Sequence, residues 1–261
     1  MLGLIILVIS TGLAALAPVI SPYDPFVQSD LLFLPPSGRH LLGTDNLGRD
    51  LLSRIIWGTR VSLLFGAGVS GISLLMGIVL GAIPGYFGGH IDDLFSRFFE
   101  IYLMIPTLFL TILVVSIFGA NIVFAMVIVG LTLWPSNARI TRAQVLSLKS
   151  RGYVLAATGA GASHVRIMFR HILPNGIYPV IVNSTLQIRN AILTEASLSF
   201  LGLSDPNQVS WGQILNVAQS HITAWWLAVF PGIARMMLVL AFSFLGEGVN
   251  FVMTPRLRKR T

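Results

Sequence analysis

The 261-residue chain is 54% hydrophobic and only 10% charged, against roughly 25% charged residues in an ordinary soluble domain. With a mean hydropathy of +0.81, too few charged groups remain to cover a water-facing surface, which argues against a cytosolic enzyme and for contact with lipid. Cysteine is absent, which removes disulfides, thiolate nucleophiles and cysteine metal sites, and 17 Lys and Arg against 10 Asp and Glu give a net charge of +7.

Stretches without a charged residue cover 1–23, 61–89, 101–138, 172–188, 206–234 and 236–246. A membrane-crossing helix needs about 20 mostly apolar residues, so several of these are long enough. The stretch 101–138 is long enough for two, with Gly119-Ala120-Asn121 as the turn between them. The expected fold is therefore an all-α integral membrane protein with about six transmembrane helices, near 2–20, 61–84, 98–118, 121–140, 176–200 and 226–249. Its expected organisation is a first transmembrane helix at 1–20, an external loop with an interfacial helix at 21–60, and a five-helix core at 61–261 with a cytoplasmic loop at 139–175.

In chain order, the first span contains Ala15-Leu16-Ala17, which resembles a signal-peptide cleavage site, but nothing before Pro22 is charged. A secretory signal begins with a positive segment, so a retained helix is expected. The chain starts almost inside this stretch, and a polar segment ahead of it fits that pattern. In the following loop, Gly43, Thr44, Asp45, Gly48, Arg49 and Asp50 form a polar turn flanked by glycines, which charge-assisted hydrogen bonds can order. Such a loop suits the capping of a cavity or the receipt of a soluble partner; equally, it suits a turn into an interfacial helix at 50–60.

The second span carries Gly77, Gly81 and Gly85 at intervals of four, on one helix face where another helix can approach closely. That neighbour is either in the same chain or in a second membrane subunit. The loop at 139–175 contains Tyr153 to Ala157, which can form a short helix ended by Gly159 and Gly161. Small residues on its exposed side, bordered by Arg, suit insertion into a groove on another protein, and a solvated connector is the plainer alternative. In the fifth span Arg189 and Glu195 lie six positions apart, about 600° around a helix, so a direct pair within one regular helix is not expected. These two, with Arg235 in the sixth span, either reach the membrane interfaces and loop carbonyls or line a pathway.

With the N-terminus inside, the cytoplasmic segments hold eleven basic residues: Arg97, Arg139, Arg142, Lys149, Arg151, Arg166, Arg170, Arg256, Arg258, Lys259 and Arg260. The external side holds four, Arg39, Arg49, Arg54 and Arg60. The positive-inside rule then places both termini in the cytoplasm, and the net charge reflects topology rather than a nucleic-acid partner.

No phosphate-binding G-x-x-x-x-G-K-[ST] pattern occurs, and the only lysines are Lys149 and Lys259. His40, His90, His164, His171 and His221 show no metal-ligand spacing, and the segment 45–50 lacks the terminal Glu of a calcium loop. Ser199 lies outside any nucleophile-elbow pattern. No catalytic residue and no metal site is expected.

Several motifs in one order nevertheless resemble a family. Ala156-Ala157, three residues, Gly161, then Leu173-Pro174 resemble the EAA loop of ABC-importer permeases. With the loop at 40–50, Glu195 to Leu203, Trp211-Gly212 and Phe230-Pro231-Gly232, the chain from about residue 38 onward is similar to the dipeptide, oligopeptide and nickel permease branch. It departs at Leu155, which stands where the EAA glutamate would be, at Gly152, at His171, and at Thr254-Pro255-Arg256-Leu257 in place of the usual Asp-Pro-Arg-Leu.

The resemblance implies a type I ABC-importer permease fold in a bacterial or archaeal inner membrane. It also implies pairing with a homologous permease subunit, two cytoplasmic ABC ATPases that hold ATP and Mg, and an external solute-binding protein. The implied coupling residues are Arg151, Gly152, Tyr153, Leu155, Ala156, Ala157, Gly161 and Pro174. Peptide import is the expected function and nickel or metal-chelate import the alternative. An ATP-independent transporter using Arg189, Glu195 and Arg235 as a relay is a third reading, although no internal repeat is evident.

Overall fold

A computed structural model of the chain describes residues 2–253, apart from the side chains of 252 and 253. The Thr254-Pro255-Arg256-Leu257 ending and the basic residues Arg256, Arg258, Lys259 and Arg260 lie outside the described residues. The regular structure among the described residues is helical, with one isolated bridge between Thr44 and Asp50. In order, the helices are α1 (Leu2–Ala15), α2 (Ala17–Ile20), α3 (Leu51–Phe87), α4 (Gly89–Leu103), α5 (Thr107–Phe118), α6 (Ile122–Lys149), α7 (Gly152–Gly159), α8 (His164–Arg166), α9 (Leu173–Gly176), α10 (Tyr178–Phe200), α11 (Trp211–Ser220) and α12 (Trp226–Met253), with a π-helical turn at Ile167–Ile172 before α9.

By length and composition alone, the six expected spans are recovered only in part. Among the described residues three helices, α3, α6 and α12, are long and apolar enough to cross a membrane. A fourth span results if α4 and α5 are taken together, although they are bent by 72° at the break. Pro106 explains that break, since it lacks an N–H and disfavours helical geometry at Ile105. The 14 residues of α1 extend only about 21 Å, short of a hydrocarbon core about 30 Å thick. Pro18 stops their continuation, because it cannot donate to the carbonyl of Ala14. The 23 residues of α10 are long enough, but Asn183, Gln187, Arg189, Asn190 and Glu195 make it more polar than α3, α6 and α12.

Two boundaries also shift. Residues 51–60 are not a separate interfacial helix; they are the first turns of α3, which continues through 37 residues with a single proline, Pro84, near its end. Likewise α6 runs to Lys149, so Arg139, Arg142 and Lys149 sit on a helix, and the connector to α10 begins at Ser150.

The chain divides into two compact units. One comprises the residues up to Ala67, Thr111–Met126 and Ile188–Leu245, around a core that includes Leu51, Ile192, Trp211, Ile214, Leu227, Leu238 and Phe242. Here α1 lies against α12, with the backbone of Gly3 so near Phe244 that a Cβ would stand 2.6 Å from its Cβ. The other unit comprises Gly68–Leu110, Val127–Gln187 and the residues from Gly246 on. It has an aromatic cluster of Phe99 and Trp134 with Phe95 and Tyr102, and a second cluster of Ala82, Tyr86, Val145, Val154, Ile167 and Ile172. In this unit the glycine stripe of α3 meets α6: a Cβ on Gly77 would strike Asn137, one on Gly81 the carbonyl of Ala138, and one on Gly85 the carbonyl of Arg142. The close approach predicted by the spacing is thus made within the chain.

Candidate functional site

The 150–177 connector presents α7 on a rigid base. Arg151, extended and exposed, precedes the helix. Val154 is buried in the cluster with Ala82 and Tyr86 of α3 and Val145 of α6. Gly152, Tyr153, Leu155 and Ala156 are exposed, and Ala157 is half-buried. The outward face therefore carries Tyr153 and Leu155 as well as the small residues expected there. Gly161 has φ +79° and closes the helix: its N–H donates to the carbonyl of Thr158 at 3.0 Å, while the N–H of Ala162 donates to Ala157 at 3.1 Å. Crossed bonds of this kind around a left-handed glycine form a Schellman closure.

Beyond it, Ser163 caps α8, and the π turn follows, in which the N–H of Leu173 reaches back five residues to Met168. Pro174 comes next and has no N–H to offer the carbonyl of Arg170. A recess of about 440 Å³ beside α7 is lined by Ala157, Ala160, Gly161, Ala162, Arg166, Arg170 and His171. The segment is tied to α3 by Tyr86, whose hydroxyl pairs with His164 Nδ1 at 2.8 Å. Lys149 donates to the carbonyl of Tyr86 and lies over its ring. Val154 and Tyr86 thus join this connector to the ends of α3 and α6.

Deeper in the same unit is a buried polar network that the sequence reading overlooked. Asn137 of α6 donates to Ser73 Oγ of α3 at 3.0 Å and to Ser184 Oγ and Gln187 Oε1 of α10 at 3.1 and 3.0 Å. Its own Oδ1 accepts from Asn183 at 2.8 Å. Gln187 in turn accepts from Ser73 at 2.7 Å and donates to the carbonyl of Leu133 at 3.0 Å. The available signal was the presence of amide side chains inside expected spans, where polar residues commonly hold helices together. Arg142, also on α6, grips Asp92 of α4 through two parallel hydrogen bonds, one of them 2.6 Å long.

In the other unit, the loop between α2 and α3 turns its charges inward. Asp45 Oδ1 accepts from the N–H groups of Leu47 and Arg49 at 2.9 and 3.0 Å, and Oδ2 accepts from Arg49 Nε at 2.8 Å. Arg54 Nε lies 3.4 Å from the same oxygen. Asp50 begins α3 by accepting from the N–H and hydroxyl of Ser53, both at 2.8 Å, and contacts His40 Nδ1 at 2.9 Å. Thr44 accepts from the N–H of Leu34, and its carbonyl accepts from Trp226 Nε1. Gly43 and Gly48, at φ +86° and +69°, allow the two reversals. The residues singled out in this loop therefore order it, and they start α3. Asp50→Ala is expected to cost about 1–2 kcal/mol through the lost cap, read as a lower midpoint of thermal unfolding in detergent; an unchanged midpoint would mean that the cap is redundant.

The three ionisable residues of the expected fifth and sixth spans do not form a chain of contacts. Glu195 is buried, and its Oε1 accepts from Ser199 and Ser210 at 2.9 and 2.7 Å. Because Ser210 also caps α11, this contact holds α11 to α10. Arg189 reaches Ser243 Oγ at 3.4 Å, and Arg235 donates to the carbonyl of Leu193 at 3.2 Å. No group of three or more potential metal-ligating side chains occurs among the described residues.

Long apolar helices, a glycine-mediated helix crossing and an exposed short helix closed by glycine define a helical protein built to contact a membrane. The chain belongs to the family of binding-protein-dependent transport system inner membrane components, whose model matches residues 77–259. It is 41% identical to the dipeptide transport system permease protein DppC of Haemophilus influenzae over 99% of this chain and 91% of that protein. It is 36% identical to the oligopeptide transport system permease protein OppC of Bacillus subtilis over 99% and 86%. Among solved structures, a chain of the MetNI methionine ABC transporter in an inward-facing conformation superposes with a TM-score of 0.62 at 18% identity, covering 77% of this chain and 97% of that one. That likeness concerns the fold. The chain is thus a multi-pass membrane permease subunit of the ABC-importer type.

Proposed function

We propose that this permease subunit pairs with a homologous subunit to form the pathway of an ATP-driven importer for peptides, which an external solute-binding protein delivers. The observation that carries the reading is α7, an exposed helix of Tyr153, Leu155 and small residues, seated on Val154 and closed by Gly161. Such a helix suits a groove on a cytoplasmic ATPase, one of two, which would hold the ATP and Mg that this chain has no loop to bind. Both termini then lie in the cytoplasm, as the distribution of Lys and Arg indicates. The coupling residues are Arg151, Gly152, Tyr153, Leu155, Ala156, Ala157, Gly161 and Pro174. Peptide rather than nickel as cargo is supported by relatives named for dipeptide and oligopeptide transport.

The test is Gly161→Val in the assembled transporter. A β-branched residue at φ +79° disfavours the closing turn and shifts α7. Uptake of a labelled dipeptide should fall by about tenfold or more, the equivalent of 1.4 kcal/mol in coupling, and ATPase stimulation by the loaded binding protein should be lost while membrane insertion is retained. Normal uptake would sink the coupling assignment, and failure of two ATPase chains to copurify with the tagged wild-type protein would sink the importer reading.

A further inference from the structure

Arg235 of α12 opens onto a groove of about 550 Å³ within one compact unit, formed by the end of α10, α11, the turn at 221–225 and the first turns of α12. Its walls are largely apolar, with Phe200, Ile222, Trp225 and Val229, and Gln219 is one of the few polar groups beside Arg235. Ile222 and Trp225 are 85% and 51% exposed, so the groove is open along that wall. This volume and lining match those of small-ligand sites, which are mostly apolar with a few placed polar groups.

The guanidinium is underused. Of its five N–H donors, the one recorded bond is from Nη2 to the carbonyl of Leu193, and Nε is buried without a partner. No carboxylate lies within ion-pair distance of it among the described residues. Glu195 acts on it at longer range, with Oε1 occupied by Ser199 and Ser210 and Oε2 buried without a hydrogen bond. A cation held on a membrane helix with its counter-charge beyond contact distance is costly, and such groups commonly serve a water-filled path or a ligand. Arginine in addition matches carboxylates with two parallel hydrogen bonds.

We propose that this groove is a cargo subsite in which Arg235 receives the C-terminal carboxylate of a peptide, while Trp225, Ile222 and Val229 accommodate its last side chain. The assignment rests on the reading of the chain as a peptide-importer subunit. It gives this chain a share in selecting free peptide acids, in addition to whatever selection the soluble receptor performs.

The experiment uses the complete transporter in proteoliposomes with its binding protein, and compares uptake of alanyl-phenylalanine with uptake of its C-terminal amide. For Arg235→Gln, uptake of the acid should fall about tenfold, equivalent to 1.4 kcal/mol, while uptake of the amide stays nearly constant. Arg235→Lys should recover part of the loss. The receptor is common to all arms, so its own preference cancels when the acid-to-amide ratio of Arg235→Gln is compared with that of wild type. An unchanged ratio in Arg235→Gln would overturn the subsite, as would a loss that vanishes in vesicles without anionic lipid, which would make a lipid headgroup the partner. If Arg235→Gln fails to copurify with the ATPases, Trp225→Ala decides: a shift in preference from phenylalanine to glycine at the C-terminal position upholds the site, and no shift overturns it. If the wild-type complex imports neither compound while its ATPases turn over, the peptide reading itself fails, a result distinct from either failure of the subsite.

Discussion

Gly81→Leu is expected to prevent stable folding of the unit in which the glycine stripe of α3 meets α6. A Cβ at residue 81 would overlap the carbonyl oxygen of Ala138 and lie 2.8 Å from Thr141 Cβ. Overpacking a core ordinarily costs about 1–3 kcal/mol because side chains can yield. Here the obstacle is the backbone of a neighbouring helix, so the cost should reach or exceed the upper end of that range, and two helices must separate to relieve it. The measurement is the folded fraction recovered in mild detergent and its thermal midpoint. Gly71→Leu is the control on the same helix, since a Cβ there meets nothing within 4 Å; it should leave both quantities near wild type. Equal losses in the two variants would show that leucine harms α3 generally, and that the contact with α6 is not the cause.

Asn137→Leu should be the next most damaging change. The single Nδ2 group has two hydrogens and faces three acceptors at 3.0–3.1 Å, so it serves as a shared hub for α3, α6 and α10. Interhelical side-chain hydrogen bonds in membrane proteins are worth about 0.6 kcal/mol on average and up to about 1.7 kcal/mol. Removing the hub loses several of these and also leaves Gln187 and Asn183 short of partners in a buried setting. A total of about 2–3 kcal/mol follows. A double-mutant cycle with Gln187→Leu should be markedly less than additive, because the second change removes a group that the first has already orphaned. Strict additivity would mean that the two amides act independently.

Helix α7 was legible in the sequence because its signals are local. A short apolar run and the glycines at 159 and 161 act within a few residues of one another, and α7 forms where they predict it, with Gly161 in the closing position. The helix ends were less legible. Charges marked where a span could begin, yet helices do not stop at charges: α3 starts from the Asp50 cap and α6 carries Arg139, Arg142 and Lys149 on its last turns. Proline had more effect than charge, at Pro18 and Pro106, by withholding an N–H.

What the sequence determined by itself is the class of molecule and its chemistry. A shortage of charge argues for lipid contact, glycines four apart allow a close neighbour, and no phosphate-binding G-x-x-x-x-G-K-[ST] pattern occurs in the chain. Those properties depend on composition and on spacing along one helix. The tertiary structure alone decided which neighbour the glycines meet, that Asn137, Ser73, Ser184 and Gln187 form one network, and that Asp45 and Asp50 are spent on ordering their own loop. It alone left Arg235 without an ion pair at the side of an open groove. The physical reason is the same in each case: a hydrogen bond or ion pair depends on distances between residues up to 182 positions apart, and local propensity contains no information about them.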